Sequence, residues 1–438
     1  MQPAPRNSYD KDVDFSLLAL HDPDFRTHLK SNNQLDFSDP AAVKQLTISL
    51  LKRDFGIQIA LPDDRLCPPV PNRFNYILWV QDLLDTTSPS YDDRYDPHRE
   101  VVGLDIGTGA SCIYPLLGCA QRERWRFVAT DIDEKNLSYA RQNILASNLK
   151  SRIRPLLTDS NDPLIPLDAL GLDRITFTIC NPPFYSSTTD LLSSASAKSR
   201  PPHSACTGSP IEMVTPGGEV AFVTRMIHES QHLQARCQWY TSMLGKYSSL
   251  GIIVEELKQR GVGNWAVKEF VQGEKTRRWG VGWTWGCRRP REDVARGVSS
   301  SIPKHLLPFP SEFNFEIPTT SVDLVGSKIS ALLEGLDLQW RYRSQISTGV
   351  GFARANVWSR AARRQRQREA AGGGEVREKS DDDDNDDERI EEAALGFKIQ
   401  LARGSEVVAV SIRWLQGVDC VLFESFCGMV KRQMANGI

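Results

Sequence analysis

The feature that most constrains this chain is a β-branched and apolar run that stops abruptly at two prolines. Residues 175–180 read Ile-Thr-Phe-Thr-Ile-Cys, and Asn181-Pro182-Pro183-Phe184 follows directly. Proline has no amide proton to donate to a neighbouring strand, so two successive prolines end a sheet ladder. The pattern therefore predicts a buried strand whose carboxyl end is left open at residues 181–184.

The residues at this open end carry the groups needed to hold a planar amine. The Asn181 side chain offers a carbonyl acceptor, the rigid prolines hold a backbone carbonyl beside it, and Phe184 supplies a flat face. A base stacked on that ring can donate its exocyclic amine to both carbonyls, which aims the nitrogen lone pair at a methyl donor. A plain turn is the alternative at this point, because Asn-Pro is a common turn dipeptide.

A second stretch has the pattern of a nucleotide-type site. An apolar strand at 101–106 runs into Gly107-Thr108-Gly109-Ala110, and a helical pattern follows at 113–120. Glycines there allow the backbone to approach a ligand closely. About two dozen residues later the strand 125–130 ends at Asp131, where a carboxylate can bind ribose hydroxyls. The turn lacks the third glycine of the dinucleotide fingerprint, so it fits S-adenosylmethionine, which has no pyrophosphate, better than NAD.

Both stretches are characteristic of one family. The run Ile-Gly-Thr-Gly-Ala-Ser-Cys-Ile-Tyr-Pro-Leu-Leu-Gly at 106–118 and Asn181-Pro182-Pro183-Phe184 closely resemble the methyltransferase-like protein 16 family. That family methylates adenine N6 in RNA and is related to bacterial 23S ribosomal RNA adenine-N6-methyltransferases. The resemblance covers roughly residues 1–287, with further matching stretches at 40–43, 50–56, 70–82, 225–230, 239–246 and 277–279.

The resemblance implies an α/β protein with the class I, Rossmann-like methyltransferase fold and a seven-stranded mixed sheet. The alternation of strand and helix patterns from Val101 onward agrees with a parallel sheet. In the last part of this core, the pattern predicts strands at 218–223, 239–244, 266–272 and 278–285, with helices at 226–236 and 249–260.

The chain is expected to divide into a helical module, a core, a linker and a small domain. The module spans 1–95 and forms one wall of an RNA groove, the methyltransferase core spans 96–287, and the linker spans 288–310. The small α+β domain spans 311–438 and is interrupted at about 359–390 by an insert that is first arginine-rich and then acidic. Such a composition cannot build a packed core. Its arginines also suit a nuclear localisation signal, so the nucleus is the expected location, with the cytoplasm as a second one.

Composition narrows the class of protein further. The nine cysteines include no Cys-x-x-Cys pair, which argues against a disulfide framework and a zinc site, so no metal is expected. No apolar run has the length of a signal or membrane segment, so neither secretion nor membrane insertion is expected. The net charge is −2, but seven acids lie together at 381–384 and 386–388, and the chain without them carries +5. A mildly basic body is compatible with RNA as a partner.

The resemblance also implies roles for individual residues. In the acceptor site, Asn181 and the Pro182 carbonyl accept the N6 amine, while Pro183 keeps the turn rigid and Phe184, aided by Tyr185, stacks the base. Arg73 is expected to bind the methionine carboxylate of the cofactor and Thr158 its adenine end. The expected cofactor-binding residues are Arg73, Asp105, Gly107, Ser111, Asp131, Thr158 and Asn181. The expected RNA-binding residues are Arg6, Lys11, Lys198, Arg200, Arg277 and Arg278.

The expected reaction is transfer of the methyl group of S-adenosylmethionine to N6 of an unpaired or flipped-out adenosine in structured RNA. The best known acceptor in the family is an adenosine in the ACAGAGA box of U6 small nuclear RNA. The reaction needs no general base, because the amine proton becomes acidic once the methyl bond forms, and catalysis rests on positioning. Asn-Pro-Pro followed by an aromatic residue also occurs in methyltransferases that act on ribosomal RNA, DNA or protein glutamine. An RNA-binding protein whose methylation is incidental is the remaining alternative.

Overall fold

The computed structural model describes residues 6–10, 12–196, 208–272, 276–299, 302–362, 364, 368 and 392–435. The chain forms two compact units. The first comprises residues up to Asp85 together with 94–286 and 294–308. The second comprises 86–93, 287–293 and the chain from Phe309 onward. No helix among the described residues is long and apolar enough to cross a membrane.

The chain begins with four helices: α1 (Phe15–His21), α2 (Pro23–Arg26), α3 (Pro40–Phe55) and α4 (Val70–Thr86). Helix α3 begins at Pro40, and the Asp39 side chain caps it by accepting from the Ala41 amide at 2.9 Å. Buried side chains of α4 such as Ile77 share one hydrophobic cluster with Phe127 and Phe177 of the sheet. Within residues 6–85, the described side chains of the helical module therefore contribute to the core of the first unit.

The methyltransferase core alternates strands and helices as expected for an α/β protein. Its elements are β1 (Val101–Ile106), α5 (Ile113–Gln121), β2 (Trp125–Asp131), α6 (Glu134–Ala146), β3 (Ile153–Leu157), α7 (Leu167–Leu170), β4 (Ile175–Cys180), α8 (Thr188–Ser196), α9 (Pro210–Met213), α10 (Gly218–Leu233), β5 (Cys237–Leu244), α11 (Tyr247–Gln259), β6 (Asn264–Gln272), β7 (Thr276–Thr284), α12 (Glu292–Ala295) and β8 (Arg296–Gly297). Short 3-10 turns lie at Gln234–Arg236 and Lys304–Leu306.

The strands form one mixed sheet in the order β3-β2-β1-β4-β5-β7-β6-β8. Strands β3, β2, β1, β4 and β5 are parallel, and β7 runs antiparallel to both β5 and β6. The α/β fold class is confirmed. The sheet has seven main strands, as expected, and the two-residue strand β8 adds an eighth at its edge.

The register of the central strands sets the position of the functional edge. Ile106 at the end of β1 pairs with Thr130 on β2 and with Cys180 on β4. Gly107 and Asn181 therefore leave the sheet at the same level, beside Asp131, the last residue of β2. In parallel α/β sheets, ligands bind at this carboxyl edge.

Two expectations about this unit are wrong. Residues 218–223, predicted as a strand, form the first turns of α10, because Gly217 and Gly218 adopt positive φ values of 75° and 65° and turn the chain into a helix. Buried Val223, Met226, Ile227 and Ser230 then recur at helical spacing. The second is the linker predicted at 288–310: residues 294–308 are assigned to the first unit, where the Val294 carbonyl accepts from the Trp79 indole at 3.0 Å.

The second unit is α+β, as expected. After residues 86–93 and 287–293 it contains β9 (Glu312–Ile317), α13 (Val322–Glu334), β10 (Gln339–Arg343), β11 (Thr348–Ala353), β12 (Leu395–Arg403), β13 (Val408–Gln416) and α14 (Cys420–Ala435), with a 3-10 turn at Ser344–Ile346. The strands form an antiparallel sheet in the order β10-β11-β12-β13-β9. Phe397 and Phe426 lie in its hydrophobic core. Most of the predicted insert at 359–390 lies outside the described residues.

A substitution in β1 tests the packing of the central sheet. A Cβ atom at Gly103 would lie 2.6 Å from the Phe177 ring and 2.7 Å from the Phe127 ring, both fully buried. We expect Gly103→Ala to lower the free energy of unfolding by about 1–3 kcal/mol, because the rings must shift in a packed core. Gly263→Ala is the matched control, since a Cβ there meets nothing within 4 Å. Urea unfolding measures both, and equal midpoints for the two variants would contradict the packing.

Candidate active site

The glycine-rich turn after β1 is held against the end of β2. The Gly107 and Thr108 amides both donate to the Thr130 carbonyl, at 3.0 and 2.9 Å. Gly107 and Gly109 have positive φ values of 74° and 64°, a conformation that side chains rarely adopt. The turn is therefore fixed in shape and leaves its backbone open to a ligand.

Asp131 closes this turn from the β2 side. Its Oδ2 accepts from the Gly109 amide at 2.8 Å, and its Oδ1 accepts from the Asp133 amide at 2.9 Å. The side chain is buried, and burial raises its pKa. The Asn136 side-chain amide also donates to both oxygens, at 3.4 and 3.5 Å. Ribose hydroxyls can replace these long contacts. Thr158, at the end of β3, lies next to it and donates its amide to the Asp131 carbonyl at 3.0 Å.

Asp105 is fully buried near the end of β1 and only half satisfied. Its Oδ2 accepts from the Thr108 hydroxyl at 2.7 Å, while its buried Oδ1 has no hydrogen-bond partner among the described residues. Burial raises the pKa of this carboxyl to about 7 against the opposing effect of the Thr108 hydrogen bond. The negative charge of Asp131 raises the pKa further, and the positive charge of Arg73 lowers it.

Arg73 reaches the site from α4 and is only 7% exposed. Its Nη1 donates to the Tyr114 hydroxyl at 2.7 Å and lies 3.4 Å from the Met243 sulfur. Within the described parts of the chain, no carboxylate forms an ion pair with Arg73. A buried cation is costly unless an anion accompanies it, so this guanidinium fits the carboxylate of a ligand.

The predicted acceptor residues leave β4 at the same edge. The Asn181 Oδ1 atom is buried and accepts no hydrogen bond from the described residues. Pro182 is buried, and Phe184 is partly buried. An added Cβ at Gly245 would lie 2.8 Å from the Phe184 Cδ1 atom, so the backbone after β5 passes directly against the ring.

Glu219 is a residue of this site that sequence reasoning missed. It is buried in the first turn of α10, where its Oε2 accepts from the Gly245 amide at 2.6 Å. Its Oε1 accepts from the Lys246 amide at 3.0 Å and from the Ser249 hydroxyl at 2.6 Å. Glu219 therefore holds the segment that contacts Phe184. The available signal was Gly217-Gly218-Glu219, a positive-φ turn followed by an acid, which is typical of a helix start.

Glu212 is the second residue that was missed. The short helix α9 begins with a capping box of Ser209 and Glu212. The Glu212 Oε2 also accepts from the Leu66 amide at 2.9 Å, and its Oε1 would lie 3.8 Å from a Cβ at Gly109. The segment that follows the Asn-Pro-Pro-Phe loop thus returns to the glycine-rich turn. The signal was the Ser-x-x-Glu spacing.

The predicted RNA-binding residues are not gathered in one place. Arg6 pairs with Asp82 and lines a cavity of about 360 Å³ with Lys268 and Glu269. Arg277 is exposed and pairs with Glu269. Lys11, Lys198 and Arg200 lie outside the described residues. Ser111 is buried beside the glycine-rich turn.

Arg278 is the exception, because its guanidinium lies in the acceptor site. The guanidinium carbon is 5.5 Å from the centroid of the Phe184 ring. Taken together, the structure brings the predicted cofactor residues of β1, β2 and β3 to one edge, with Arg73, Asn181 and Phe184 around it. Among the described residues, no cluster of three or more His, Cys, Asp or Glu side chains is placed to hold a metal ion.

Asp105 makes stability depend on pH in the cofactor-free protein. Its pKa is about 7 in the fold against an ordinary value of 3.8. Below pH 3.8 both folded and unfolded chains hold the proton, whereas between 3.8 and about 7 only the folded chain does. The free energy of unfolding therefore falls as the pH rises through this window, by roughly 1.4 kcal/mol per pH unit from this group.

Asp105→Asn removes this titration while keeping the shape. We expect the stability of Asp105→Asn relative to the unmodified protein to be greater at about pH 8 than at about pH 5. Urea unfolding at the two pH values measures the difference. The same relative stability at both would show that Asp105 does not hold a proton in the fold.

Several known proteins are similar to this chain over more than half of its length. A family model described as RNA methyltransferase matches residues 2–286. The U6 small nuclear RNA (adenine-(43)-N(6))-methyltransferase of Schizosaccharomyces pombe is 33% identical over 410 residues, which cover 92% of this chain and 96% of that protein. The human RNA N(6)-adenosine-methyltransferase METTL16 is 39% identical over 325 residues. The match covers 69% of this chain but only 56% of the human protein.

Solved structures show the same relationship. The human Mettl16 catalytic domain in complex with MAT2A 3′UTR hairpin 1 has a TM-score of 0.57 and 40% identity, covering 64% of this chain and 95% of that one. The N-terminal domain of human METTL16 in complex with SAH has a TM-score of 0.52 and 39% identity, covering 64% and 98%. The chain therefore belongs to the METTL16 family of RNA methyltransferases.

Proposed function

We propose that this protein transfers the methyl group of S-adenosylmethionine to N6 of an unpaired adenosine in structured RNA. The observation that carries the proposal is the Asn181 Oδ1 atom, a buried acceptor without a donor in the described chain, beside the partly exposed ring of Phe184. A buried acceptor without a partner costs free energy. The exocyclic amine of a base that stacks against Phe184 would donate the missing hydrogen bond.

The residues of the carboxyl edge fit the proposed cofactor. Bound there, S-adenosylmethionine supplies an electrophilic methyl group on a sulfonium. The Arg73 guanidinium would bind the carboxylate of its methionine part, because it has no carboxylate partner within the described chain. Gly107 and Gly109 let the backbone approach, and Asp131 would accept the ribose hydroxyls. Ser111 follows the glycine-rich turn, and Thr158 lies next to Asp131, so both border the proposed cofactor site.

The proposed acceptor residues contribute to catalysis by positioning the adenine base. Asn181 Oδ1 and the Pro182 carbonyl would each accept a hydrogen bond from the amine, and Phe184 would stack the base, so that the nitrogen lone pair faces the methyl group. The prolines keep these acceptors from moving. An adenine reaches such a site only when it is unpaired or flipped out of a helix. After the methyl bond forms, the nitrogen releases its proton to water, so no residue needs to act as a base.

The most strongly supported substrate is U6 small nuclear RNA. The S. pombe relative that carries this activity in its name is matched over 96% of its length. We propose the ACAGAGA box as the acceptor sequence. Arg6 and Arg277 would contact phosphates, and the same role is predicted for Lys11, Lys198 and Arg200. A U6 substrate would place the protein in the nucleus, and this location stays a prediction.

Labelled methyl transfer tests the proposal. We expect a short hairpin RNA with the ACAGAGA box to accept methyl groups from S-adenosylmethionine, and digestion to nucleosides to yield N6-methyladenosine. The same RNA with guanosine at every adenosine of the box is the control and should remain unlabelled. Labelling of both RNAs, or of neither, would contradict the proposed acceptor.

Two variants separate the acceptor from the cofactor. Asn181→Ala should lower methyl transfer by about 100-fold or more, because the amine is no longer positioned, while the Kd for S-adenosylhomocysteine stays within about threefold. Arg73→Met keeps the side-chain volume but removes the charge, and should weaken S-adenosylhomocysteine binding by about 10- to 100-fold. Titration calorimetry measures both constants. The opposite assignment of effects would refute these roles.

A further inference from the structure

Arg277 and Arg278 are consecutive residues of β7 with opposite surroundings. Successive side chains of a strand point to opposite faces of a sheet. Arg277 is exposed and forms an ion pair with Glu269 on β6. Arg278 is partly buried, and its guanidinium lies 5.5 Å from the centroid of the Phe184 ring. The sequence predicts RNA binding for both arginines. In the fold, only Arg278 lies beside Phe184, in the proposed acceptor site.

The Phe184 ring is bounded by two fixed groups. Gly245 lies against the Cδ1 and Cε1 edge, where a Cβ would come within 2.8 and 3.2 Å of these atoms. Glu219 fixes that segment through the Gly245 amide at 2.6 Å. The guanidinium of Arg278 is the second group, itself held by a hydrogen bond from its Nη1 to the Arg277 carbonyl at 2.9 Å. Between them, these groups restrict how the ring can turn.

The charge of Arg278 is costly where it lies. Burial, together with repulsion from Arg73, lowers the pKa of the guanidinium. In the described part of the chain, no carboxylate forms an ion pair with Arg278. A leucine or methionine could fill the same space without the desolvation cost. A cation over an aromatic face gains attraction from the ring quadrupole, and the gain grows when water is excluded.

We propose that Arg278 is a positioning residue of the acceptor site, whose guanidinium holds the Phe184 ring in the orientation that stacks the flipped-out adenine. The inference rests on the proposed function. It replaces the phosphate contact predicted for Arg278 from the sequence, whereas Arg277 keeps that role. Since Arg278 acts through the orientation of the base, its loss should change the rate of methyl transfer more than the affinity for RNA.

The two arginines give a matched pair of variants. Arg278→Met should lower kcat by about 3- to 30-fold with an RNA KM within about threefold, the range that loss of one desolvated cation–π contact predicts. Arg278→Lys should recover part of kcat, because an ammonium still interacts with the ring. Arg277→Met should do the reverse, raising the RNA KM with little change in kcat. Thermal unfolding of all three variants checks that they are folded.

A fluorescent base gives a readout independent of methyl transfer. With 2-aminopurine at the target position of the RNA, stacking on Phe184 should quench the fluorescence on binding, and Phe184→Leu should abolish the quenching. Arg278→Met should reduce the quenching at saturating protein, whereas Arg277→Met should leave it unchanged.

The outcomes separate this inference from the proposed function. If the unmodified protein neither methylates the RNA nor quenches 2-aminopurine, the proposed function fails, and the inference with it. If it does both, but Arg278→Met raises only the RNA KM, Arg278 is a phosphate contact and the inference is overturned. A loss of kcat with full quenching and no recovery in Arg278→Lys would likewise overturn it, because that pattern describes a purely structural role.

Discussion

The parallel pairing of β1 with β2 on one side and β4 on the other decides where every group of the site lies. Ile106 pairs with both Thr130 and Cys180, so β1 and β4 end at the level of Thr130, one residue before the end of β2. The next residues are a glycine with positive φ, an aspartate and an asparagine followed by two prolines. Each of these residues leaves side-chain or backbone groups unused by the sheet. One register thus places the proposed cofactor turn and the proposed acceptor residue at one edge of the sheet.

This arrangement leaves buried polar groups without partners in the described chain, which lowers the stability of the fold. Asp105 Oδ1 and Asn181 Oδ1 are buried without partners in the described chain, and the Arg73 guanidinium is buried without a carboxylate. Each of these would weaken a protein selected for stability alone. Strained or unsatisfied groups concentrate at functional sites because a ligand completes them. Asp105, Asn181 and Arg73 thus lie unsatisfied at the edge where the cofactor and the acceptor base are proposed to bind.

Local sequence patterns predict much of this site. Asn-Pro-Pro marks the end of β4 because proline cannot continue a ladder. The glycine turn and Asp131 are predicted at the same edge because each follows or ends an apolar strand of a parallel sheet. The resemblance to a family supplies what patterns cannot, namely which ligand each residue meets. The start of helix α10 resembles a strand in sequence because residues 220–223 are a short apolar run, and only the two glycines before them reveal the helix start.

Other features depend on tertiary contacts that no local pattern encodes. Glu219 belongs to the site only because α10 packs beside the segment after β5, which its carboxylate then holds. Arg278 differs from Arg277 only through the face of β7 on which it lies. Residues 294–308 read as a linker, yet the Leu306 carbonyl accepts from the Trp265 indole at 3.3 Å within the first unit. Such roles follow from the fold and not from residue type.

The central claim is that Asn181 accepts the exocyclic amine of the target base. A double-mutant cycle tests this claim most directly, pairing Asn181→Ala with an RNA in which purine ribonucleoside, which lacks the amine, replaces the target adenosine. The affinities of the four combinations, measured with S-adenosylhomocysteine present, give the coupling energy between side chain and amine. The account predicts a coupling of about 0.5–3 kcal/mol, since either change alone already removes the shared hydrogen bond. Strictly additive effects would contradict it, because they would show that Asn181 and the amine do not interact.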